Sequence, residues 1–349
     1  MFAPLYYTGI PFLLREVVER NKTTIVVFHA PSPDAARGHF EALRKRYNII
    51  SLADYVRARI DGRARKLPPK SLIITMDDGH RSNAQLKSLL QEMEMPVTIF
   101  LCSGIVGTHR HFWWLHTRSS SEAKACKQMT DAERLEFLLS RDYHPEQEYS
   151  DRQALSKSEI EELKPLVDFQ AHSVSHPILP ACADEKAERE IERCKTDLER
   201  LYGLKIEAFA FPNGDSSEHN IVMTRNAGYR CALTMDTGIN DIDADLFRLR
   251  RISVPDDASV SELLVKASGF WRRLKWARGL LKQFLPGAES REAIAYERQL
   301  RSRRKRSALE RSGCSTGFDL HAGLGFLCYL KLNFDGFRDP PVNQLMSGF

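Results

Sequence analysis

The chain has no pair of cysteines at CxxC spacing, and its seven cysteines (102, 126, 182, 194, 231, 314 and 328) are scattered and odd in number. That excludes a thiolate zinc cluster and argues against a disulfide framework, so a reducing, cytoplasmic compartment is expected. No stretch approaches the ~18–20 apolar residues that cross a bilayer. Met1 to Asn21 lacks the order of charge, apolar run and small-residue cleavage site of a secretory signal. No repeat recurs at solenoid periods. Acidic and basic residues are not evenly mixed either. Residues 271–311 hold thirteen Lys/Arg against four Asp/Glu, which leaves 38 basic against 42 acidic side chains elsewhere. The chain is thus a slightly acidic body with a basic C-terminal segment.

What is present is a globular composition. Hydrophobic residues make up 42% and charged residues 28% of 349, which excludes a disordered chain and supplies a sizeable core. Seven short β-rich runs recur: Ile25–Phe28, Leu72–Met76, Val97–Leu101, Leu166–Gln170, Ala208–Phe211, Cys231–Thr234 and Arg251–Val254. Most are continuously apolar, as parallel strands covered on both faces are. Helical patterns lie between them. The clearest, Asp184–Tyr202, has an apolar stripe of Ala187, Ile191, Cys194, Leu198 and Leu201, with Asp184 placed to cap its start and Gly203 after its end. This alternation predicts an α/β barrel or a doubly wound sheet. Residues 115–160 are charged, break the rhythm and read as an insertion between the third and fourth strands.

In parallel α/β folds, functional side chains gather where strands end. The residues after the runs are His29 (first), Asp77-Asp78-Gly79-His80 (second), His172-Ser-Val-Ser-His176 (fourth) and Pro212-Asn213-Gly214-Asp215 (fifth). Separately each is cheap. An Asp-Asp-Gly after a strand is often only a turn, and eleven histidines make an HxxxH pair an easy accident. Jointly they place carboxylates and imidazoles at one end of several strands. Two histidines four apart, on one helical turn, plus a carboxylate would form a facial metal site with positions open to water.

TMDDG (75–79), HSVSH (172–176) and FAFPNG (209–214), in that order, resemble the first three motifs of the NodB-type polysaccharide deacetylases, carbohydrate esterase family 4, and more closely its members with an aromatic-Pro-x-Gly third motif. The likeness runs from about residue 20 to 270 and includes VVFHAP, LPPKSLIITMDDG, MPVTIFLCSG and GYRCALTMDTG. It implies a distorted (β/α)7 barrel and metal-dependent removal of N- or O-acetyl groups from sugars. By position, Asp77 matches the family's catalytic base; Asp78, His172 and His176 match its metal ligands, with zinc the default divalent ion. Asn213 sits where a backbone N–H helps hold an oxyanion.

The chain departs from the family twice. Ala210 stands where an Arg usually orients the base, and Leu249-Arg250-Arg251 stands where a Leu-x-His supplies the general acid. Arg251 is therefore expected to hold Asp77 from the opposite strand. His29 and His80 are left as candidate acids.

Trp113 and Trp114 suit either a sugar platform or packing at the barrel mouth. His109 and His111, an HxH, read as part of an exposed loop. Phe270–Leu285 forms a basic amphipathic helix, suited to a solvated outer face or to an anionic membrane surface. The apolar lead-in 1–20 adds to the membrane option. RSRRKR (301–306) has no nucleic-acid fold beside it, so no nucleic-acid partner is expected. Residues 21–270 form the barrel and 271–349 the basic helix and a tail, 288–349 of which bears little on catalysis. The expected partner is an acetylated carbohydrate: a polysaccharide, an oligosaccharide or a lipid-linked glycan at the inner membrane face. A glycan-binding barrel without turnover, or a deformylase or amidase on the same scaffold, are the alternatives.

Overall fold

Continuous apolar runs become strands here because both faces of each are covered. The computed structural model describes residues 2–284. Its strands are β1 (Thr23–Phe28), β2 (Asn48–Ile49), β3 (Ser71–Met76), β4 (Val97–Leu101), β5 (Asp168–Ala171), β6 (Ala208–Ala210), β7 (Cys231–Thr237) and β8 (Leu249–Ser253). All pair in parallel. Each strand from β3 to β8 pairs with the next, and β1 pairs with both β8 and β3, so a ring of seven strands closes. Only the two-residue β2 lies outside it, against the start of β3.

This is a distorted (β/α)7 barrel. It is distorted where pairing is thinnest: β5 meets β6 at Ala171–Phe209, and the β7–β8 register slips between Leu233 and Thr237.

Alternate strand residues fall into two cores. Val26, Phe28, Ile74, Met76, Ile99 and Leu101 pack with helix residues such as Phe40, Leu90 and Ile191. Ile25, Ile73, Phe100, Ala210, Leu233 and Leu249 pack with one another and with Leu52, Tyr55 and Val56 of the helix Leu52–Ile60, filling the ring. Arg251 follows Leu249 by two residues, so it shares that inward face and is wholly buried.

The helix Asp184–Tyr202 has the expected bounds and ends on left-handed Gly203. Two details differ. Its N-cap is Ala183, with no side-chain cap, so Asp184 does not cap it. Leu201 is 42% exposed while Tyr202 is buried; a stripe drawn at steps of three and four drifts by the last turn, and the tyrosine takes the inward position.

Residues 115–160 carry two short helices, Ser120–Cys126 and Asp131–Leu139. They pack Cys126 and Leu138 on Trp113, Tyr143 and Ile178. The helix Phe270–Phe284 is formed as well. The chain divides into two compact units, 1–272 and 273–349, and the barrel lies wholly in the first. RSRRKR and the tail from 288 lie outside the described residues. Among the described residues no helix is long and apolar enough to cross a membrane.

Candidate metal centre

The Asp77 amide donates to Phe28 O at 3.1 Å, carrying the β1–β3 ladder one step past the strand. Asp78 and Gly79 are then both left-handed, with φ 70° and 66°. Asp tolerates that region better than most residues. Gly79 has no alternative, since a Cβ there would stand 2.5 Å from Leu101 Cδ2. The sharp turn separates the two carboxylates. Asp77 is 3% exposed, while Asp78 turns towards the mouth.

Across the ring, the His172 amide donates to Leu101 O at 2.9 Å as β5 ends. The segment to His176 is not a helical turn, contrary to the expectation from its spacing. Ser173 (φ 65°) and His176 (φ 57°) are left-handed, and polar side chains take the hydrogen bonds a helix would have made. Ser173 Oγ accepts from the His176 amide at 3.0 Å. Glu190, buried on the helix behind, accepts from the Val174 amide at 2.9 Å, the Ser175 amide at 2.8 Å and the Ser175 hydroxyl at 2.6 Å. The Trp113 indole N–H donates to His176 O at 3.0 Å, and the Trp114 ring stands edge-on to His176 at 4.5 Å.

His172 Nδ1 lies 2.7 Å from Ala210 O. A carbonyl only accepts, so Nδ1 carries the hydrogen and Nε2 presents its lone pair. His172 Nε2 is 3.5 Å and His176 Nε2 3.4 Å from Asp78 Oδ1. These are poor hydrogen bonds, and Asp78 Oδ1 is buried with no hydrogen-bond partner. Ligands of a tetrahedral ion at ~2.0–2.1 Å stand roughly 3.3 Å apart. Donor types, spacing and the orphaned oxygen all fit one divalent cation. Asp78, His172 and His176 are the only group of three metal-ligating side chains among the described residues, their ligand atoms all within 4.8 Å of one another.

Asp77 stands beside them. Its Oδ1 accepts from Arg251 Nη1 at 2.7 Å, and Arg251 Nε donates to Thr234 O at 3.0 Å. Oδ2 is turned to the site, 3.9 Å from His172 Nε2. Burial alone would raise the Asp77 carboxyl; Arg251 and His172 outweigh it and hold it below its ordinary value. Burial likewise opposes ionisation of Asp78, and the two imidazoles outweigh it. Burial lowers His176 to about 3, keeping it neutral, while for His172 the two carboxylates outweigh burial and raise it.

Asn213 follows β6 in a left-handed conformation, φ 57°, with its side chain 3.5 Å from Asp215. Gly214 is left-handed too, and a Cβ there would overlap Met235 N. His29 lies partly buried, its backbone N–H on Asp256 Oδ1 at 2.9 Å. His80 spends Nδ1 on Ser82 Oγ at 2.9 Å. Neither donates to an acceptor at the centre. The HxH lies in irregular backbone with His109 exposed, as expected, while His111 is partly buried: it stacks on Tyr149 at 4.0 Å and contacts His116 and Asp151.

Residues 64–232 match the polysaccharide deacetylase family model. The chain carries a polysaccharide deacetylase domain. The family removes acetyl groups from carbohydrates, a hydrolytic reaction generally dependent on a metal, and an Asp-His-His group is a possible metal site of this deacetylase. No curated protein sequence matches the chain significantly.

Solved structures share the deacetylase's fold at low identity. The Streptococcus pyogenes deacetylase PplD in complex with acetate aligns at 18% identity and TM-score 0.53, covering 70% of this chain and 98% of that one. IcaB from Ammonifex degensii aligns at 17% and 0.50, covering 71% and 97%. The putative polysaccharide deacetylase BA0330 from Bacillus anthracis aligns at 18% and 0.50, covering 70% and 69%.

Sequence reasoning missed Glu190 in this deacetylase. An acidic residue between Ala187 and Ile191, on the buried face of its helix, was the available signal. Nothing in the sequence tied Trp113 to the carbonyl of His176.

Proposed function

We propose that the protein is a metal-dependent carbohydrate deacetylase, zinc being the ion its donor set suits best, acting on N- or O-acetyl groups of a polysaccharide, oligosaccharide or lipid-linked glycan. One observation carries this reading: Asp78 Oδ1 is buried without a hydrogen bond at 3.4–3.5 Å from two imidazole nitrogens, while a second carboxylate, Asp77, is held by Arg251 with its Oδ2 3.9 Å from His172 Nε2.

Asp78, His172 and His176 would hold the ion, which when bound supplies a Lewis acid and an acidified water. Asp77 takes the proton of the attacking water through Oδ2, the oxygen Arg251 leaves uncovered. Arg251 keeps that carboxyl ionised and aimed. The backbone N–H of Asn213, in the turn after β6, would receive the oxyanion. Trp114, partly exposed beside His176, offers a face to a pyranose ring.

A glycan-binding barrel without turnover would not need Asp77, whose burial is tolerated only because a buried arginine answers it. The test is acetate release from acetylated sugars with and without chelator, together with metal analysis of the native protein and Asp78→Ala. The native chain should hold one ion and release acetate, and Asp78→Ala should hold none. Binding of sugar with no acetate released under any metal would leave the non-catalytic reading standing. A native protein that takes up no divalent ion would end the proposal.

A further inference from the structure

We propose that residues 2–18, ahead of β1, form a face that docks on an anionic phospholipid surface. The face stands apart from the metal centre. It goes beyond the deacetylase reading and does not rest on it.

The segment is two short helices, Phe2–Tyr7 and Ile10–Leu13, running into a turn of wider helix at Leu14–Val18. Its inward side is largely polar. The first helix packs on the helix Val260–Ala267. Tyr6 touches the main core, and its hydroxyl accepts from Arg46 Nη2 at 3.1 Å. Arg15 is 9% exposed; its Nε donates to Glu16 Oε1 at 2.8 Å and its guanidinium stands over the Tyr47 ring. Glu16 pairs with Lys70 at 3.0 Å, and Glu19, 5% exposed, pairs with Lys22 at 3.2 Å.

The outward side is the reverse. Tyr7, Ile10, Phe12, Leu13, Val17 and Val18 are all exposed, Tyr7 to 81% and Val17 to 69%. Among the described residues thirteen large apolar side chains are exposed; these six fall within twelve positions, and the other seven are scattered from Ile60 to Trp276. Single exposed apolar side chains are ordinary, whereas a run of them marks a surface that something covers. A segment that turns an arginine and a glutamate inward and six apolar groups outward suits a lipid boundary better than water.

Charge decides what covers it. The Phe2 ring meets the Trp271 ring at 4.9 Å, and the Lys266 ammonium stands 5.9 Å over it. From there the chain enters its basic segment: the helix Phe270–Phe284 carries five Lys/Arg and no Asp/Glu, within a stretch, 271–311, of thirteen against four. A second copy bound two-fold through the same face would bring these basic segments together, which like charge opposes. Anionic headgroups attract them, and an apolar face with a basic segment is the pair of signals on which surface attachment rests. The Lys70 amide donates to Arg20 O at 2.6 Å, so the segment joins the barrel at the amino ends of β1 and β3. The metal centre lies at the carboxyl ends, and docking leaves it open to a glycan arriving from solvent.

The test is flotation of the full chain with vesicles of phosphatidylcholine alone and of phosphatidylcholine mixed with phosphatidylglycerol. Wild type should partition onto the anionic vesicles about tenfold or more better than onto the neutral ones. Raising salt from roughly 0.1 M to 1 M, which shortens the Debye length from about 10 to 3 Å, should release most of it. Phe12→Ser with Leu13→Ser and Val17→Ser should lower partitioning on the order of tenfold or more, with melting temperature, metal content and acetate release from a soluble oligomer those of wild type. Tyr7→Ser with Val17→Ser, the two most exposed side chains of the segment, repeats the measurement should the triple variant melt early. Wild type that floats with neither vesicle, or equally with both, would overturn the proposal, as would variants that float as well as wild type. Wild type that stays off vesicles but runs as a dimer, which the variants turn into a monomer, would give the face to a second copy and overturn it too. Wild type that floats yet releases no acetate would count against the deacetylase reading alone.

Discussion

The two ends of the barrel hold similar residues in opposite states. At the amino end a cleft of about 520 Å³ is lined by Lys22, Tyr55, Arg59, Asn240 and Asp241 among others. Two of its cations are answered: Lys22 pairs with Glu19 and Asp241 at 3.2 and 2.9 Å, and Arg59 bonds the Tyr55 hydroxyl and Ala244 O. At the carboxyl end, Asp78 Oδ1, His176 Nδ1 and Arg251 Nη2 are buried without hydrogen-bond partners. Four non-glycine residues there, Asp78, Ser173, His176 and Asn213, are left-handed. Burying unsatisfied polar atoms and holding strained backbone both cost free energy. A fold keeps them where a bound ion or substrate can answer them, so unsatisfied polarity points to a functional end better than cavity size does.

Removing the support of Asp77, the proposed base, tests the contrast hardest. Arg251→Met leaves Asp77 buried and unpaired, and breaking such a pair costs about 3–5 kcal/mol, a melting temperature roughly 10 °C lower. Burial is then unopposed by the guanidinium. The Asp77 carboxyl moves up from its depressed value, and the acid limb of the kcat/KM profile shifts towards neutral pH. Thermal melts and a pH–rate profile read both effects. A variant that melts with wild type and keeps its acid limb would show that Arg251 does not sustain Asp77. Next in size is Glu190→Ala, which frees two amides and a hydroxyl of the ligand loop. Metal affinity, measured by competition with a chelating dye, should weaken by roughly 10–100-fold. Glu190→Gln retains acceptors and should recover part of it. Equal affinities across the three proteins would mean that the loop holds its shape without the carboxylate.

These groups were unequally legible beforehand. The seven strands stood out because parallel strands buried on both faces leave continuous apolar runs, and strand ends pointed to Asp77, Asp78, His172 and His176. The path of the 172–176 loop was not legible. A four-residue histidine spacing fits a helix equally well, and what overrides it is a carboxylate fourteen residues further on, Glu190, reached only through tertiary packing. The cap at Ala183 and the inward turn of Tyr202 fail for the same reason: both depend on what the helix packs against.

The smallest effect belongs to the amino end and checks the comparison from the other side. Lys70, just before β3, is also left-handed at φ 56°, and its ammonium pairs with Glu16 at 3.0 Å. If strain by itself marked function, relieving it would disturb catalysis wherever it occurred. Lys70→Gly relieves the backbone, a gain of about 1 kcal/mol. It also removes a partly exposed ion pair contributing ~0.2–1 kcal/mol. The two should nearly cancel, leaving the melting temperature within about 2 °C of wild type, with metal content and acetate release unmoved. Acetate release that fell with Lys70→Gly while the melt held would mean the two ends are coupled through β3, and strain at the amino end could no longer be set apart as merely structural.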